Sequence, residues 1–375
     1  MTALQHITIL DLTRLLPGAA ATQMLAAFGA RVIKIEQPGL GDYARHGFGA
    51  NGVNPLFLET NRNKQSITLD LKHDQGKAIL RQLVERADVL VEGFRPGVMH
   101  RLDLGYAALA KINPRLIYVA LTGYGQEGEY AQMAGHDLNY LAMAGVLNDI
   151  GTRDAPVIAG VQLADLAGGS NQVIIGALLA LEARHRTGAG QFVDVSMMDG
   201  VAGLLAVPYS MYKSSGRLPE RGNELLSGRY ACYNIYRTSD SRWITVAALE
   251  AKFWDALCRQ LECVDLIADQ FAPEPRQAEV KSKLASILVT DTAQAWFDRL
   301  RDKDCCVAPV RTLDEVHNDP HFASHAIGLG PELSTTPSAY VSQAPELGEH
   351  TAQVLHELGY SDEQIEHLKQ AGITG

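Results

Sequence analysis

Apolar positions in the first half of the chain follow two alternating rhythms. Short apolar runs at 7–12, 31–36, 66–70, 89–91 and 116–121 have the length and branched composition of buried strands. Between them lie stretches with helical spacing. Residues 19–28 are Ala-rich and closed by Gly29, and in 73–87 the residues Ile79, Leu80, Leu83 and Val84 share one side. Such alternation implies parallel strands joined by right-handed crossovers. It predicts an open α/β domain over residues 1 to about 190. Ligands of these sheets sit beyond the carboxyl ends of the strands, so the loops at 15–18, 38–43, 92–97 and 122–128 are expected to ring one pocket.

Later the pattern changes. A long helix over 166–186 is stopped by Thr187-Gly188, and a strand follows at 191–196. Residues 199–225 read as a helical linker. Beyond Arg229, two strand-like runs at 229–237 and 243–248 flank the polar turn 238–242, which predicts a hairpin. Helices are expected near 251–262, 276–289 and 292–302. The tail reads as a short helix at 313–317, a β-like region near 327–343, and helices near 348–358 and 362–370. A capping box at Ser361-Asp-Glu-Gln364 opens the last of these.

Composition narrows the function. A chain of 375 residues favours two domains, and 46% hydrophobic with 20% charged residues is a globular balance. The net charge of -10, with no Lys/Arg-rich run, argues against a nucleic-acid partner. Five cysteines without a CxxC pair are expected to be reduced core thiols. The start, Met1-Thr-Ala-Leu-Gln-His6, has no charged segment ahead of an apolar one, and the most apolar segment, 173–181, is short for a bilayer. A cytoplasmic protein without a membrane partner is the expectation.

Chemistry concentrates between Ala134 and Ser170. His136 follows Gly135 at an expected helix start, where the positive end of the helix favours a neutral, proton-accepting ring. Asp165 opens the next apolar helix beside Gly168-Gly169, either as a base or nucleophile or as a plain helix cap. Glu250 follows a strand, either orienting a histidine or starting a helix. Arg95 in Glu92-Gly-Phe-Arg-Pro-Gly97, and Arg62 and Lys64 in Asn61-Arg-Asn-Lys64, are candidate anion contacts. Residues 7–36 imitate a dinucleotide-binding unit, but GxGxxG is missing, which leaves NAD a weak alternative. The residues by themselves lead to an α/β enzyme with an anionic ligand.

The ordered motifs resemble the class III coenzyme A transferase superfamily (CaiB/BaiF type), which also contains the α-methylacyl-CoA racemases. They include Gly39-x-Gly-Asp42, Asn61-x-Asn-Lys-x-Ser-Ile-Thr-Leu-Asp70, Glu92-Gly-Phe-Arg-Pro-Gly97, Thr122-Gly-Tyr-Gly125, Ala164-Asp165, Gly190-Gln-Phe-Val-Asp194, Ala308-Pro-Val310 and Asp319-Pro320. The resemblance implies an acyl-CoA thioester substrate, no tightly bound cofactor beyond the coenzyme A of the substrate, no metal, and an interlocked homodimer. It also implies a large Rossmann-like domain (1–200 joined by 325–375), a helical linker (201–226), and a smaller α+β domain with a return linker (227–324).

Gly135-His136-Asp137-Leu-Asn-Tyr140 and Ala247-Ala-Leu-Glu250 are similar to the racemase branch. There the histidine and the aspartate at Asp165 exchange an α-proton, and the glutamate at Glu250 supports the histidine. His136 and Asp165 are then expected to face one cavity from two sides, with Gly123, Tyr124, Asp137, Tyr140, Arg62, Lys64 and Arg95 contacting the substrate. Gly160-Val-Gln-Leu163 is more transferase-like, and Gln37 replaces an arginine that racemases often carry. The implied function is racemisation of a 2-methylacyl-CoA. The alternative is CoA transfer through a mixed anhydride at Asp165, and a non-catalytic CoA-binding role is more remote.

Overall fold

The computed structural model describes residues 2–47, 54–323 and 330–375. The chain forms two compact units. The larger comprises Met1–Val146, Ala159–Ala206 and Gly328–Gly375, and the smaller Leu147–Ile158 and Val207–Ile327.

The larger unit is built on strands β1 (Thr8–Leu12), β2 (Arg31–Glu36), β3 (Lys64–Thr68), β4 (Val89–Glu92), β5 (Ile117–Thr122) and β6 (Phe192–Ser196). All neighbours pair in parallel, in the order β3-β2-β1-β4-β5-β6. Chain direction across the sheet reverses between β1 and β4, the place where such sheets open a crevice at their carboxyl edge. Covered on both faces, the strands carry apolar runs, interrupted in β1, β2 and β3 by the buried charged residues Asp11, Lys34, Glu36 and Lys64. On one face Leu10, Leu12, Leu90 and Tyr118 share a core with Ile79, Leu80, Leu83 and Val84 of the helix Asp74–Arg86. Each such side chain contributes about 1.5–3 kcal/mol when fully buried. Val354, Leu355, Leu368 and Ile373 complete this core.

The helices Pro17–Ala27 and Ala164–Thr187 pack together, the first on β1 and the second on β5 and β6. The second runs 24 residues, so the expectation of an apolar helix short for a bilayer is corrected: by length and composition alone it suffices to cross one. Its first turns, Ala164–Ser170, adopt the wider π geometry, and the helix runs on through Gly168-Gly169. Val173, Ala177, Ala180 and Leu181 are buried along it, and its Arg184 pairs with Asp88 at 2.8 Å. Ile175, Leu178 and Leu179 remain exposed.

A buried ionic cluster lies near β1, β2 and β3. Lys34 meets Asp42 at 2.8 Å, Lys64 meets Asp11 at 3.1 Å, and Arg45 meets Glu36 at 2.7 Å. Burial works against ionising Asp11, but Lys64 and Lys34 outweigh it and hold the carboxyl well below the usual range.

The smaller unit carries an antiparallel sheet, β7 (Tyr233–Arg237), β8 (Trp243–Ala247) and β9 (Val307–Pro309), in the order β7-β8-β9. The expected hairpin is present, with Arg237 opposite Trp243. Tyr236, Val246, Trp254, Leu284 and Trp296 anchor its separate core, beneath the helices Ala251–Gln260, Arg276–Leu288 and Ala293–Leu300.

Two sequence expectations change. Residues 330–343 form no strand, and those at 327–329 lie outside the described residues. The Asn63 side chain substitutes for a ladder there, accepting the N–H groups of Val341 and Ser342 and donating to the Ala339 carbonyl. Residues 147–158 group with the smaller unit, because the Arg221 guanidinium donates to the carbonyls of Asn148 and Thr152 at 3.0 and 2.6 Å.

Candidate active site

At the carboxyl edge of β4, β5 and β6 a cavity of about 430 Å³ opens within the larger unit. It is lined by Gly93 to Pro96 after β4, Leu121 to Tyr124 at the end of β5, Met197 after β6, and a wall that includes Met133, His136, Asn139 and Tyr140. Not all the expected loops contribute. Those at 15–18 and 38–43 supply no lining, and a second cavity of about 180 Å³ lies instead beside Arg14, Gln37, Leu71 and Lys72, sharing Phe94 with the first.

His136 is the cap of the helix Asp137–Met143, with extended backbone (φ -132°, ψ 176°), and its side chain is exposed at the cavity. Its own N–H donates to Asn139 Oδ1 at 3.1 Å, which fixes the entry into the helix. Sequence reading passed over Asn139, although its place three residues after the cap was the available signal. Tyr140 is buried and donates to the Gly135 carbonyl at 2.5 Å. Burial, with Asp165 next, pushes its phenol up to about 12, so it remains a donor. Tyr124 packs edge-on against it at 5.1 Å. This packing demands glycines: a Cβ on Gly123 would fall 2.4 Å from the Tyr140 ring, and one on Gly135 would fall 2.7 Å from it. Gly123, Tyr124 and Tyr140 thus shape the wall that carries His136.

Asp165 lies in the first turn of Ala164–Thr187. Leu163, not Asp165, occupies the cap position. Its carboxylate forms no hydrogen bond among the described residues, so the plain helix-cap role does not apply. Its N–H instead donates to Asp137 Oδ1 at 2.9 Å, across a sequence separation of 28 residues. That bond gives Asp137 a structural role, with one of its oxygens committed to the backbone. Burial first, and then the like charge of Asp137, raise the Asp165 carboxyl to about 6, while His136 pulls the other way.

The expectation that His136 and Asp165 line one cavity holds for His136 alone. Asp165 is half-buried, and its turn is tied to the first residue of the His136 helix.

The other candidates separate. Arg95 lines the cavity, is exposed and has no ion-pair partner among the described residues. Lys64 is corrected to a structural residue: it is 2% exposed, and its ammonium contacts Asp11, the Ala19 carbonyl and Asn61. Burial pushes its pKa down to about 8 despite Asp11. Arg62 precedes β3, at the amino end of the strand, where it pairs with Glu59 at 2.7 Å and lies over the Tyr340 ring. It does not reach the cavity. Glu250, in the smaller unit, caps the helix Ala251–Gln260 through its backbone only.

Human alpha-methylacyl-CoA racemase is 37% identical over 385 residues, covering 99% of this chain and 97% of that protein. The succinyl-CoA--D-citramalate CoA-transferase of Chloroflexus aurantiacus is 31% identical, over 98% and 96% of the two chains. A CAIB/BAIF family protein from Brucella suis has the same fold, with a TM-score of 0.83 at 30% identity, covering 95% of this chain and 99% of that one. The model of CoA-transferase family III matches residues 4–351, and the chain belongs to that family.

Proposed function

We propose that this protein is an acyl-CoA racemase that inverts the α-carbon of a 2-methylacyl-CoA thioester. The observation that carries the reading is the joining of the His136 and Asp165 turns through Asp137, with the Asp165 carboxyl raised to about 6. An α-proton beside a thioester is weakly acidic, so its removal needs a positioned base whose proton affinity is near that of the medium. In one direction the Asp165 carboxylate takes the α-proton and His136 returns a proton to the opposite face. In the other direction the roles exchange, so each turnover conserves the proton count.

Arg95, exposed at the cavity and without an ion-pair partner among the described residues, is suited to the anionic part of the coenzyme. The smaller cavity, which shares Phe94 and borders Arg14 and Lys72, suits its far end. The role of Glu250 as support for the histidine, and the homodimer, belong to the same proposal. Exposed Ile175, Leu178 and Leu179, and the helix Ala206–Ser215 with no buried residue, offer apolar surface for a second copy.

A transferase reading rests on two facts: the Asp165 carboxylate accepts no hydrogen bond among the described residues, and the chain is similar to transferases as well as racemases. Chiral chromatography separates the two. A single C2 epimer of a 2-methylacyl-CoA is expected to give the other C2 epimer, with no free acid required. Dependence on a carboxylic acid acceptor, with hydroxylamine trapping an acyl group on Asp165, would replace the racemase by the transferase.

A further inference from the structure

Asp137 stands between the two candidate acid–base groups, next to His136 in the chain and bonded to the Asp165 backbone in space. It is the first residue of its helix, where a carboxylate complements the positive end. Its Oδ1 accepts, at 2.9 Å, an N–H of the first turn of Ala164–Thr187, a group that has no partner within its own helix. We infer that Asp137 is a positioning residue, whose carboxylate locks the Asp165 turn to the His136 turn and sets a second negative charge against the Asp165 side chain.

The surroundings of Asp165 leave this role to Asp137. The helices Pro17–Ala27 and Met197–Ala202 and strand β6 pack on its turn; the first has no titratable residue, the second has Asp199, and the strand has Asp194. The charged residues of its own helix begin only at Glu182, and Tyr140 faces it from the His136 helix. Among all of these, burial, Asp137 and His136 govern the Asp165 carboxyl. Two acidic groups held this close cannot both ionise without cost, so the proton is retained to higher pH. A carboxyl near 6 can both release and retain a proton near neutral pH. For reversible α-proton transfer that is the useful property, and in this respect the inference rests on the racemase reading.

Asp137→Asn tests it, because the amide oxygen still accepts the Asp165 N–H while the charge is removed. The Asp165 carboxyl is followed by 13C NMR titration, its resonance assigned by its loss in Asp165→Asn. The midpoint is expected to fall by roughly half a unit or more in Asp137→Asn. The acid limb of the C2 exchange rate should move the same way, with KM little changed. Asp137→Ser, which keeps an acceptor without the charge, serves if the asparagine variant does not fold. An Asp165 midpoint identical in wild type and both variants overturns the inference. The titration needs no substrate, so that outcome stays distinct from failure of the racemase reading, which appears as absent exchange in the wild type.

Discussion

At the residue scale, the site depends on where Asp165 holds its proton. A carboxyl raised to about 6 binds its proton more tightly folded than unfolded. The stability linked to that proton is complete below the usual carboxylate range and is lost as pH rises through about 6. Asp165→Asn is therefore expected to raise the unfolding free energy at pH 8 by about 1–2 kcal/mol, after discounting for partial exposure, and to have little effect at pH 4. Urea melts at the two pH values check the sign; an equal effect at both would contradict it. Tyr140→Phe removes the bond to the Gly135 carbonyl and is expected to cost about 1 kcal/mol of stability. Exchange should slow because the His136 entry loosens, and a rate equal to wild type would show that the phenol does not position the histidine. The sequence announced His136 and Asp165 through their glycine neighbours. It did not announce that Asp137 bonds the Asp165 backbone, because a contact between residues 28 apart is set by helix packing.

At the element scale, the parallel sheet was legible because its strands carry short apolar runs that alternate with helical spacing. What stayed hidden was the use of polar residues beneath it. Lys64 reads in sequence as a ligand contact, yet it completes the ionic cluster with Asp11 and Lys34. Nothing in the local pattern distinguishes a buried lysine from an exposed one before the partners are known. Lys64→Met leaves Asp11 buried without its nearest cation and is expected to destabilise the larger unit by about 3–5 kcal/mol. Thermal and urea unfolding measure this, and a stability within error of wild type would return Lys64 to the list of ligand contacts. The 330–343 segment failed as a strand for a similar reason: its hydrogen bonds go to the Asn63 side chain, a partner far away in sequence.

At the scale of the whole molecule, the α/β sheet and the separate antiparallel sheet follow from the change of rhythm near Arg229, whereas residues 147–158 are tied to the smaller unit by distant partners, Arg221 and Glu220. Apolar side chains along Ala206–Ser215, such as Val207 at 54% and Tyr209 at 59% exposure, support the proposed homodimer. Sedimentation equilibrium should give twice the chain mass, and a monomer at micromolar concentration would remove that part of the proposal. The central claim, two-base proton exchange, is tested most directly by incubating a 2-methylacyl-CoA with enzyme in deuterated water and reading C2 by mass spectrometry. Deuterium is expected to enter C2 with the wild type, and inversion is expected to fall by at least about a hundredfold in His136→Ala and Asp165→Asn alike, each variant exchanging only the C2 epimer whose proton faces the remaining base. No deuterium at C2 with folded wild-type enzyme, while CoA passes to an added carboxylic acid, would contradict the account and leave Asp165 as a nucleophile.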